Sequence, residues 1–78
     1  MNAGFDRRVG QNIRALRLAN QWSQEVLAAK LQLEGCDMTR SALAKVEAGQ
    51  RHIYTDEIFL FRKIFQGTYD DLFKENNE

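Results

Sequence analysis

Proline is absent from the 78 residues, and cysteine and histidine occur once each, as Cys36 and His52. Without proline, no helix interior is broken by a residue that lacks an N–H and clashes with the preceding turn. One thiol excludes an internal disulfide, and one of each soft ligand does not make a zinc site. No metal and no cofactor is expected. No apolar run approaches the roughly 18 residues of a membrane span, so no membrane partner is expected. Residues 1–8, Met1-Asn2-Ala3-Gly4-Phe5-Asp6-Arg7-Arg8, lack the apolar stretch of a secretion signal. Together with the lone thiol, this makes the cytoplasm the expected location. A phosphate loop and a catalytic constellation are missing too, so an enzyme is not expected. Net charge is also lacking, with eleven basic side chains against eleven acidic ones. Taken alone, that balance argues against a nucleic-acid partner.

The charge is nevertheless unevenly spread. Residues 1–52 hold eight basic and five acidic side chains, and residues 53–78 hold three and six. Such a polarised chain can offer one basic face to phosphates. Hydrophobic residues make up 44% and charged ones 28%, a globular composition. The length suits one domain over 1–78. Ala, Leu, Gln, Lys and Arg are frequent, and an all-α chain of five helices is expected.

The first helix is predicted over 4–20, because Phe5, Val9, Ile13 and Leu16 make one apolar stripe. Ser23 is the expected N-cap of the second, with Trp22 and Leu27 spaced as a hydrophobic staple. Residues 33–37, Leu33-Glu34-Gly35-Cys36-Asp37, read as a loop. Thr39 is the expected N-cap of the third helix and Gly49 its stop. A fourth helix runs from Tyr54 or Thr55 to about Gln66-Gly67. Thr68 caps a short fifth, with Asp71 where a capping box usually has Glu. Residues 76–78 are expected to fray.

The third helix is the most informative segment. Leu43 and Val46, with Met38 leading in, are candidates for the core. Arg40, Ser41 and Lys45 are side-chain types that reach bases and phosphates, and Gln50 and Arg51 follow as further polar donors. A helix that packs on one face and presents donors on the other is suited to the major groove of double-stranded DNA. His52 reads as a surface residue or phosphate contact, and Cys36 as a small semi-buried thiol. The acidic pairs Asp56-Glu57 and Asp70-Asp71 lie in first turns, where they favour the helix dipole.

Four segments, in order, resemble the Cro/C1-type helix-turn-helix family, also called xenobiotic-response-element-like. They are Val9 to Arg17, then Trp22-Ser23-Gln24-Glu25-Val26-Leu27-Ala28, then Thr39 to Gly49, and finally Tyr69-Asp70-Asp71-Leu72-Phe73. The resemblance covers about Val9 to Phe73. It implies a compact five-helix bundle of phage-repressor type whose helix-turn-helix unit spans about 23–49. It further implies a regulator, mostly repressor or antitoxin in kind, dimeric on inverted repeats. By position, Gln24 would contact a phosphate or base edge. Thr39, Arg40, Ser41 and Lys45 would serve the recognition helix, and Gln50 and Arg51 would contact backbone. Arg17 and Glu47 would form a structural ion pair between the first and third helices.

The chain departs from that pattern in two places. The turn between the second and third helices is about five residues longer than the family's spacing, and the insert carries Glu34 and Asp37 toward the presumed DNA face. Gln21 stands where the family often has Gly. The fourth helix is also apolar on most sides. Ile58, Phe61 and Phe65 can face the core, which leaves Phe59, Leu60 and Ile64, with Tyr69 and Phe73 of the fifth helix, as a candidate homodimer interface. Alternatively, the fifth helix covers them. A protein-interaction module on the same fold, with another protein as partner, is the competing reading.

Overall fold

The computed structural model describes residues 3–75 as five helices: α1 Ala3–Ala19, α2 Gln24–Leu33, α3 Arg40–Glu47, α4 Thr55–Phe65 and α5 Tyr69–Phe73. No strand occurs among the described residues. The expected fraying of 76–78 lies outside them. None of these helices is long and apolar enough to cross a membrane. α1 packs along α3 and α5, α2 along α3 and α4, and α4 along α5.

Every helix supplies the core. Val9 and Ile13 come from α1, Leu27, Ala28 and Leu31 from α2, Leu43 and Val46 from α3, Phe61 from α4 and Leu72 from α5. Met38 and Ile53 join them from the connections on either side of α3. Ser23 and Thr39 cap as expected, accepting from the Val26 and Ala42 N–H groups at 3.1 Å each. Thr68 and Asp71 complete a reciprocal capping box. One predicted boundary moves. α2 continues through Leu33, so the loop is 34–39, because a full last turn brings Leu31 into the core before the chain turns.

The first four helices all end in a Schellman motif, which satisfies the last carbonyls through a residue in the left-handed region. In α2 that residue is Gly35, with its N–H on the Gln32 carbonyl at 3.0 Å and the Cys36 N–H on the Leu31 carbonyl at 2.9 Å. Gly49 does the same for α3. In α1 and α4 the residues are Gln21 (φ 61°) and Gln66 (φ 57°). The turn after α1 is thus made without glycine by a glutamine in the left-handed region. Gly10 serves a different purpose. It lies against the Val46 carbonyl of α3, where a Cβ would collide, and so sets how closely α1 crosses α3.

A side chain at positive φ costs roughly 1–2 kcal/mol relative to glycine, partly offset by the greater freedom of glycine in the unfolded chain. Gln21→Gly and Gln66→Gly are each expected to stabilise the domain by about 0.5–1 kcal/mol, raising the thermal midpoint by about 2–8 °C. Calorimetry checks this. Midpoints that fall in both variants would show that the glutamine side chains contribute more than their backbones lose.

Candidate nucleic-acid interface

α3 has only eight residues and is too short to persist alone, so its inner side must hold it. Leu43 and Val46 are fully buried, each contributing about 1.5–3 kcal/mol. Beside them Glu47 is buried and fully engaged. Arg17 Nε donates to one carboxylate oxygen at 2.7 Å and Arg17 Nη2 to the other at 3.0 Å. Arg17 Nη1 donates to the Trp22 carbonyl at 2.8 Å, and Gln24 Nε2 donates to Glu47 at 3.1 Å. The Arg17–Glu47 pair therefore joins α1, the turn after it, the start of α2 and the end of α3. The hydrogen bonds to Glu47 raise the Arg17 guanidinium above its ordinary pKa, against the opposing effect of burial.

With 43, 46 and 47 inward, the helical period leaves 40, 41, 44, 45 and 48 on the other side. Arg40, Ser41 and Lys45 are exposed there, and Thr39 and Gln50 are exposed at the two ends. Lys45 has no ion-pair partner among the described residues. Arg40 meets one acid, Glu25 of α2, with Nε 3.4 Å from the carboxylate and both side chains largely exposed.

Two of the expected contact residues are engaged within the protein. The Gln24 amide is turned to Glu47. Arg51 gives both terminal nitrogens to Glu57 at 2.9 Å and also donates to the His52 carbonyl. Spacing along the chain shows donors but not which acid lies across from them, and in the sequence Glu57 reads only as a first-turn acid. Its carboxylate also accepts the Tyr54 N–H at 3.0 Å. Burial pushes the Glu57 carboxyl up, yet the Arg51 fork, the Tyr54 N–H and the neighbouring positive charge outweigh it and hold its pKa below the usual value. The same contacts raise the pKa of Arg51.

The remaining polar residues are also placed by packing. Glu34 is neutralised by Lys63 of α4 at 2.8 Å, so this half of the acidic insert turns toward α4. His52 meets Asp6 at 3.3 Å, beside an apolar groove of about 440 Å³ between α1, α4 and α5. Cys36 is half-buried against the core. Asn12 carries no motif in the sequence. It is buried in α1 and donates to the Leu72 and Lys74 carbonyls at 2.7 and 2.8 Å, tying down the end of α5. An asparagine on the inward stripe of Val9 and Ile13 was the available signal. Among the apolar candidates, Leu60, Ile64 and Phe73 are half-buried on the core, whereas Phe59 and Tyr69 stay 48% and 42% exposed with Arg62 over both rings. The fifth helix thus covers part of the apolar surface of α4.

The helix-turn-helix family matches this chain over residues 13–72, from the middle of α1 to the end of α5. The chain belongs to that family, in its Cro/C1-type branch. It is a DNA-binding helix-turn-helix regulator. No curated protein and no solved structure matches it significantly. The matched span includes the Arg17–Glu47 pair, the lengthened turn and the exposed side of α3.

Breaking a buried ion pair from one side leaves the other charge uncompensated. Glu47→Ala is therefore expected to cost about 3–5 kcal/mol in a denaturant titration. A loss below about 1 kcal/mol would remove the pair from its central place. A second expectation concerns acid. The pKa of Glu57 is lower in the folded than in the unfolded chain, so its stabilisation is complete above the unfolded value of about 4.3 and is lost as pH falls through the lower folded value. Glu57→Gln should flatten the stability–pH curve in that acidic window. An unchanged slope would mean that other carboxylates govern acid unfolding.

Proposed function

We propose that this regulator is a sequence-specific repressor that reads an inverted-repeat operator as a homodimer, with α3 in the major groove. The observation that carries the proposal is the division of α3 into a buried side, Leu43, Val46 and Glu47, and an exposed side, Arg40, Ser41 and Lys45. Arg40 and Ser41 sit at the N-terminal end of the helix, which probes base edges in this motif. The Arg40 fork matches guanine O6 and N7, worth about 1–3 kcal/mol of discrimination. Ser41 donates or accepts at short range, and Lys45 one turn on holds a base or a phosphate. Ala44 and Ala48 lie between them on the same side, small enough to admit the groove and suited to thymine methyl groups. Thr39 and Gln50 flank the helix as backbone contacts. Gln24 and Arg51 act from behind, through Glu47 and Glu57.

Dimerisation is proposed through the aromatic strip of Phe59, Tyr69 and Phe73 with the flanks of Leu60 and Ile64. Phe59 and Tyr69 are exposed side by side with the half-buried Phe73, and contiguous apolar surface favours an interface. Two recognition helices about 34 Å apart would then occlude a promoter. The cytoplasm is the location proposed for it, with no enzymatic activity. A protein-interaction role has one observation in its favour: Leu33 at the end of α2 is 87% exposed, with Val26 also exposed on that helix.

Selection of bound duplexes from a random pool tests the reading. An enriched motif with two inverted half-sites about one helical turn apart is expected. Arg40→Ala should lower the cognate-to-random affinity ratio by roughly 5- to 150-fold, the loss of one bidentate base contact. No enriched motif, together with a steep salt dependence, would leave only phosphate binding and favour the interaction role. An unchanged ratio for Arg40→Ala would remove Arg40 from the reading face.

A further inference from the structure

The contact between Glu25 and Arg40 adds little to the stability of the domain. Both side chains are mostly exposed, at 69% and 61%, with the carboxylate 3.4 Å from Arg40 Nε. An exposed pair of this kind contributes little to folding and is screened by salt. It also sets a negative charge against the side chain most suited to reading DNA, where it repels phosphate.

The two helix starts explain how the pair arises. Arg40 is the first residue of α3, and α3 has no acidic residue in its first turn. A cation there faces the positive end of the helix macrodipole and is disfavoured. Glu25 sits in the first turn of α2, where an acid is favoured. The helix-turn-helix arrangement places these two starts side by side, so α2 supplies the negative charge that α3 lacks. The carboxylate lies against the Nε side of the guanidinium. Unlike the forks of Arg17 and Arg51, the Arg40 fork is not tied up in hydrogen bonds to a carboxylate, and its shortest approach to Glu25 is from Nε. The two terminal nitrogens, Nη1 and Nη2, are one of the edges by which an arginine engages guanine in the fork geometry.

We propose that Glu25 is a specificity-determining positioning residue: it holds the Arg40 guanidinium by its Nε side, leaves the Nη fork for one guanine, and opposes stray phosphate contacts. Glu25 itself makes no base contact. The inference rests on the assignment of α3 as the reading helix.

The test uses the full chain and three sets of duplexes: the site selected from the random pool, that site changed at one base pair at a time, and random sequence. Glu25→Gln, Arg40→Ala and the double variant are compared with the unsubstituted chain. Both positions are exposed, so folding is not at stake. Glu25→Gln is expected to tighten binding to random duplex. It is also expected to lower discrimination at a single base pair by about two- to five-fold, the strength of one exposed ion pair. That base pair is the one at which Arg40→Ala loses discrimination, and in the Arg40→Ala background Glu25→Gln should leave discrimination there unchanged. Equal tightening on every duplex, with all ratios preserved, would show general electrostatics only and overturn the inference. So would a discrimination loss that persists without Arg40, since Glu25 would then read a base itself. If the unsubstituted chain enriches no site, the reading of α3 falls and this inference falls with it. An enriched site with uniform tightening overturns the inference alone.

Discussion

The position of α3 depends on a salt bridge that is almost entirely removed from water. Arg17 and Glu47 are 7% and 5% exposed. Two buried charges are tolerable only when each is matched and their remaining hydrogen-bonding capacity is used. Here the Arg17 fork meets the carboxylate edge to edge, its third nitrogen takes the Trp22 carbonyl, and Gln24 completes Glu47. Apolar burial would hold an eight-residue helix to the core with some freedom to roll or slide. The directional pair removes that freedom, because a small rotation would break two charged hydrogen bonds in a dry site. Gly10, pressed against the Val46 carbonyl, fixes the close approach at the same crossing.

That constraint divides the polar residues into two populations. One group is turned inward and stiffens the frame: Arg17, Gln24, Glu47, Arg51, Glu57 and Asn12. The other remains at the surface with little or nothing to hold it: Arg40, Ser41, Lys45 and Gln50. The division bears on how a chain with zero net charge can meet DNA. The ion pairs of Arg17, Arg51, Lys63 and Arg8 each take one charge of either sign and leave the overall balance at zero, so the placement of the remaining charges matters more than their sum. What phosphates meet is the local field of the exposed side chains rather than the sum over the chain.

The lengthened turn is anchored along its path. α2 ends in a Schellman motif at Gly35, Cys36 rests half-buried on the core, and Met38 is buried just before the Thr39 cap. Extra surface residues add little closure entropy. α3 is itself held by contacts with α1 and α2. The insert's Glu34 is drawn to α4 by Lys63.

Helix number, caps and core positions were legible in the sequence, because they follow from short-range rules. Ser23, Thr39 and Thr68 cap because a side-chain oxygen lies two or three residues from free N–H groups. Val9, Ile13, Leu27, Leu31, Leu43, Val46 and Phe61 are buried because the helical period puts them on one side. The donors Arg40, Ser41 and Lys45 follow from the same period, as its complement. The linkage of Arg17 to Glu47, thirty positions apart, was legible only through resemblance to a family. Only the tertiary structure decided which polar residues are consumed internally. Arg51 and Gln24 look like free donors in the chain, and Glu25 like a simple first-turn acid. Their partners come from adjacent turns and neighbouring helices, and the meeting of two side chains across a packed interface depends on crossing distance and angle. Sequence alone therefore determined the elements and their faces, through local hydrogen bonding and periodicity. Packing decided the pairings, because charge contacts reach only a few ångströms and those distances exist only once the helices are assembled.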